Sequence, residues 1–69
     1  MEHLEVNKDT MVSAEVEMVL DGKYHGHYRV IFRDLDADAI IEVRVFSRDR
    51  RDDAISYAKK VVHGTQVAA

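Results

Sequence analysis

The sequence contains no cysteine and no proline, and only three glycines. Without cysteine, a disulfide framework, a zinc ribbon and a thiol nucleophile are all excluded. Gly22, Gly26 and Gly64 lie too far apart to build a phosphate-cradling loop. No stretch approaches the ~18 consecutive apolar residues of a membrane span. The start, Met1-Glu2-His3-Leu4-Glu5, lacks the basic n-region of a secretory signal. A cytoplasmic location with no membrane partner is therefore expected. Repeats, low-complexity tracts and linkers are absent too, so residues 1–69 read as one small domain.

What is present is the composition of a folded chain, 46% hydrophobic and 33% charged over 69 residues. Folding would bury about 4,000 Å² of apolar surface, contributing roughly 100 kcal/mol at ~25 cal/mol/Å². Ordering the chain at about 1.5 kcal/mol per residue costs roughly the same. Chains with so narrow a margin are commonly supported by disulfides, a metal or a partner subunit. With disulfides excluded, a partner subunit gains weight.

Charge alternates along the chain. Residues 1–22 carry Glu2, Glu5, Asp9, Glu15, Glu17 and Asp21 against Lys8 alone. Residues 23–33 carry Lys23, Arg29 and Arg33 with no acid, and Asp34, Asp36 and Asp38 follow. Such blocks suit segments that neutralise one another across a sheet better than a single field for a polyanion.

Hydrophobic period supplies the elements. Residues 1–10 are polar and weakly patterned, which suggests a loosely held N-terminal arm. Val12, Ala14, Val16, Met18 and Leu20 alternate with Ser13, Glu15 and Glu17, the mark of a half-buried strand. A second strand to about Arg33 sets Tyr28, Val30 and Phe32 against Arg29, Ile31 and Arg33. A third, Ile40 to Ser47, sets Ile41, Val43 and Val45 against Glu42, Arg44 and Phe46. An extra residue in the Asp21-Gly22 turn or near Gly26 would pair Val16 with Tyr28, Ala14 with Val30 and Val12 with Phe32. A loop over Asp34–Ala37 would then pair Val30 with Ile41, Arg29 with Glu42 and Arg33 with Asp38, giving a Glu15–Arg29–Glu42 ladder.

A helix closes the domain. Ser47 or Asp49 can cap it, Asp52 and Asp53 suit its first turn, and Gly64 stands at its stop. Ala54, Ile55, Ala58, Val61 and Val62 form its apolar stripe, while Arg51, Ser56, Lys59 and Lys60 face water. The expected fold is a two-layer α+β domain: a three-stranded antiparallel meander with one C-terminal helix packed on one face.

Chemistry-bearing motifs are sparse. The run Asp34-x-Asp36-x-Asp38 resembles the start of a calcium-binding loop, but Ala39 replaces the required glycine and Val45 the closing glutamate. A solvated acidic loop is expected there. His25-x-His27 could present two imidazoles on one strand face, but a transition metal needs a third ligand, with His3 and Glu17 as candidates. Glu17 is the expected neighbour of His27, and His63 is expected to meet the last helix carbonyls. Ser13, Ser47, Ser56 and Thr10 sit in no nucleophile pattern, and so small a chain leaves little room for a pocket. The reading is a non-enzymatic chain with no cofactor, no metal site and no catalytic residue.

The Tyr28–Arg33 strand and the Asp52-Asp53-Ala54-Ile55 run with Ala58 carry a resemblance of layout over about half the chain. The layout resembles that of integrase arm-binding domains and of plant sheet-reading DNA-binding domains. The helix run resembles that of short antitoxin domains, without marking any one family. This resemblance implies a nucleic-acid alternative using Arg29, Arg33, Arg44, Arg48, Arg50 and Arg51. The leading expectation is instead an interaction module. Val19, Ile31, Ile40 and Phe46 should lie on the sheet face that one helix cannot cover, and a homo-oligomer, most simply a two-fold dimer, would bury them.

Overall fold

The computed structural model describes residues 1–64. Four strands form one antiparallel sheet in the order of the chain: β1 (His3–Asn7), β2 (Val12–Met18), β3 (Tyr28–Asp34) and β4 (Ala39–Phe46). Helix α1 (Arg51–His63) follows and packs mainly on β1, β2 and β3. The architecture is α+β with two layers, as expected, but the sheet has four strands and not three.

The additional strand is the segment expected to be a loose arm. β1 pairs with β2 from His3↔Val16 to Asn7↔Val12. Its alternation is inverted relative to an ordinary edge strand. Leu4 and Val6 point away from the helix and stay exposed, while His3, Glu5 and Asn7 face it. Polar contacts hold this inner face. Arg51 Nε donates to Glu2 at 3.2 Å, His63 Nε2 lies 2.8 Å from Glu5, and buried Asn7 donates from Nδ2 to the Val62 carbonyl at 3.0 Å. The Asn7 Oδ1 accepts from the amides of Asp9 and Thr10, so one side chain shapes the β1–β2 turn and holds the helix end.

In the β2–β3 pair the expected faces are correct and the register is not. Val16 lies opposite Val30, Ala14 opposite Phe32 and Met18 opposite Tyr28, two residues from the expected pairing. The cause is a longer connection. Residues 19–27 close through Val19 N–H to the His27 carbonyl (2.9 Å) and Gly26 N–H to the Val19 carbonyl (2.8 Å). Gly22 and Gly26 both take positive φ there, +82° and +88°, which a side chain would strain. A shift by two preserves every face.

The β3–β4 pair departs further. Asp34 pairs with Ala39 and Arg33 with Ile40, after which Ile41 is an extra residue and Phe32 faces Glu42. This bulge turns the rest of β4 over. Val30 lies opposite Arg44 and Tyr28 opposite Phe46, so Glu42, Arg44 and Phe46 occupy the helix side. Ile41, Val43 and Val45, expected to meet the helix, lie on the open side instead. Phe46, expected on the open side, packs with Tyr57, their ring centroids 5.6 Å apart.

The core consists of Ala14, Val16, Tyr28, Val30 and Phe32 from the sheet and Ala54, Ala58 and Val62 from the helix. Ala54 and Ala58 leave no bulk between helix and sheet, and Ile55 and Val61 flank them, as the helical spacing predicts. Neither Ser47 nor Asp49 caps the helix. Arg50 holds the N-cap position without a side-chain cap bond, and Asp52 and Asp53 in the first turn supply the favourable charge. Gly64 does stand at the stop, in right-handed conformation.

Candidate interaction surface

The face of the sheet opposite α1 has no covering layer among the described residues. Its middle is a charge ladder. Arg29 donates to Glu17 through Nε at 3.0 Å and Nη2 at 2.5 Å, and Arg33 Nε donates to Glu15 at 2.7 Å. Ile31 lies between these arginines on β3 and is only 8% exposed. The expected Glu15–Arg29–Glu42 ladder is thus replaced by two separate pairs, and Glu42 lies on the other face.

Either side of this ladder is apolar. On β1 the open face shows Leu4 and Val6. On β4 it shows Ile40, Ile41, Val43 and Val45, with exposures of 54%, 57%, 47% and 47%. Every residue from Ala39 to Val45 is exposed, because α1 lies over the other three strands. Ile40 and Ile41 are adjacent in sequence yet fall on one side: Ile40 sits opposite Arg33, and Ile41 is two residues from Val43, which sits opposite Ile31. The bulge therefore gathers four aliphatic side chains into one row.

Of the four residues expected to form the interface, only Ile40 is both on the open face and widely exposed. Ile31 is on that face but buried, Phe46 belongs to the helix side, and Val19 lies in the connection after β2, half-buried. Ile41, Val43 and Val45 were missed. A signal for them exists in the sequence. The Ile40-Ile41 doublet breaks alternation just where a bulge keeps all four on one side.

The arginines of the nucleic-acid alternative are dispersed and engaged. Arg44 donates to the Tyr57 hydroxyl at 2.9 Å and lies 5.0 Å from that ring. Arg48 donates to the His25 carbonyl at 3.0 Å, Arg50 to Asp53 at 2.8 Å, and Arg51 reaches Glu2 and Asp52. Arg29 and Arg33 are held by the ladder. They share no face.

The other motifs resolve into structural roles. Asp34 Oδ1 accepts from the amides of Asp36 and Ala37, so this carboxylate shapes its own loop. His27 stacks edge-on with Tyr24 and is not beside Glu17, which Arg29 occupies. His63 meets Glu5 and not the last carbonyls. Glu5 also takes a short hydrogen bond from His3, and these two imidazoles hold its carboxyl below the usual carboxylate range despite opposing desolvation, with His3 the larger influence. No group of three or more His, Asp or Glu among the described residues is placed to hold a metal ion, and the described residues form no pocket. No helix among them is long and apolar enough to cross a membrane. Compared with models of known protein families, with curated proteins and with solved structures, the chain matches none.

Proposed function

We propose that this chain is an assembly module that joins a second copy of itself through the β4 side of its open sheet face. One observation carries the reading: Ile40, Ile41, Val43 and Val45 form an exposed aliphatic row along an edge strand. Scattered surface apolar residues need no explanation, but a contiguous row on the order of a few hundred Å² marks an interaction site. The adjoining arginines are already neutralised by Glu15 and Glu17, so the face asks for an apolar partner and not an anionic one. A nucleic acid would have to draw Arg29, Arg33 and Arg44 away from their partners.

Sedimentation equilibrium at micromolar concentration tests this. The wild type is expected to sediment as a dimer, Val43→Glu as a folded monomer, and Lys59→Glu, on the exposed helix surface, as a dimer. A monomeric wild type overturns the reading. Phe46→Glu is unsuitable, because Phe46 packs against the core and a charge there would destabilise the fold itself.

A further inference from the structure

We infer that two copies pair β4 to β4, antiparallel about a two-fold axis through Val43, to make one eight-stranded sheet. The inference rests on the assembly reading above and specifies its geometry.

The two sheet edges are unequal. β1 is short, five residues, and its neighbouring polar side chains are tied to the helix. β4 is eight residues long with no proline, glycine or lysine. Proline and lysine, together with short length and bulges, usually blunt an edge. Its bulge, at Ile41, is confined to one end, so Glu42–Phe46 runs regularly.

The segment Ile41–Val45 is self-complementary. A two-fold axis at Val43 sets Val43 opposite its own copy, Ile41 opposite Val45, and Glu42 opposite Arg44, each pair occurring twice except the central one. The aliphatic pairs fall on the open face and join the two apolar rows into a continuous band. The charged pairs fall on the helix side. Within one chain Arg44 and Glu42 are 3.8 Å apart and both half-exposed, so both remain accessible to a cross-strand partner.

Neighbouring registers fail for stated reasons. A two-fold axis at Glu42 sets that carboxylate against its copy, and an axis at Arg44 does the same with two guanidinium groups. An axis between residues puts aliphatic side chains opposite charged ones on mismatched faces. Among the registers centred from Glu42 to Arg44, that at Val43 alone satisfies both faces.

Charge reversal tests it. Glu42→Arg creates Arg–Arg pairs across the axis, and Arg44→Glu creates Glu–Glu pairs. Each variant alone should associate about tenfold or more weakly than the wild type. Mixed in equal amounts they should form a heterodimer of restored affinity, since both of its cross-strand pairs are then opposite in charge. Circular dichroism on each variant checks that the fold persists, because Arg44→Glu also forfeits the Tyr57 contact. Sedimentation of the two variants and their mixture is the readout. A wild-type dimer with both variants undiminished, or a mixture that does not recover, overturns the register while leaving assembly through the open face standing. A monomeric wild type overturns both.

Discussion

The two edges of this sheet are built on opposite plans. β1 turns its polar side chains inward and its aliphatic ones outward, yet it is fixed in place by Glu2, Glu5 and Asn7 reaching the helix. β4 also turns its aliphatic side chains outward, but the helix does not cover it, and among the described residues Phe46 and Arg44 tie it to Tyr57. The same outward aliphatic pattern thus accompanies a strand closed by its own chain and a strand left open. What distinguishes them is where the helix axis runs and which polar groups meet it, not the hydrophobicity of either strand.

The comparison can be broken most severely at Phe46, which ties β4 to the helix. Phe46→Ala removes the ring that packs with Tyr57 and against the core. The loss of Phe46 from the Tyr57 cluster should lower stability by about 3 kcal/mol or more in urea denaturation. On the other edge, Asn7→Ala removes a buried donor to Val62 and the acceptor of two turn amides. That should cost about 2 kcal/mol, with faster hydrogen exchange at Leu4 and Val6.

A subtler break is acid. Because the Glu5 carboxyl is more acidic in the folded chain than in the unfolded one, its contribution is complete above the ordinary carboxylate value. It is lost as pH falls through the lowered value. The melting temperature of the wild type should therefore drop over that interval more than that of Glu5→Gln, which begins lower at neutral pH. Thermal melts from pH 7 to about pH 3 compare the slopes. The smallest effect belongs to Ile40→Thr, a change on the exposed row. At concentrations dilute enough to keep the chain monomeric, its stability should stay within about 0.5 kcal/mol of wild type.

The interior was legible in the sequence because each buried position repeats a period. Val16, Val30 and Phe32 alternate with charged neighbours, and Ala54, Ala58 and Val62 recur at helical spacing. The edges were not. β1 escaped notice since its inward positions are His3, Glu5 and Asn7, residues that bury through hydrogen bonds and leave no hydrophobic signature. The facing of β4 was misread because its bulge occurs at an isoleucine and not at a glycine, so only the Ile40-Ile41 doublet records it. The pairing of Arg29 with Glu17 in place of Glu15 followed from the 19–27 connection, whose closure depends on backbone bonds that alternation does not encode.

The bonds from Asn7 to Val62 and from Glu5 to His63 join residues 55 and 58 positions apart. Closing a loop of that length costs roughly 3–4 kcal/mol of chain entropy before either bond contributes. The β1–β2–β3–β4 meander needs no such closure, so it should assemble first, with α1 seated on it as the final step. Until then the sheet lacks its helix, and both faces of β4 are bare. A chain that meets its copy at that stage can pair edges before its own ends have met, which makes assembly and the completion of the fold competing events in time.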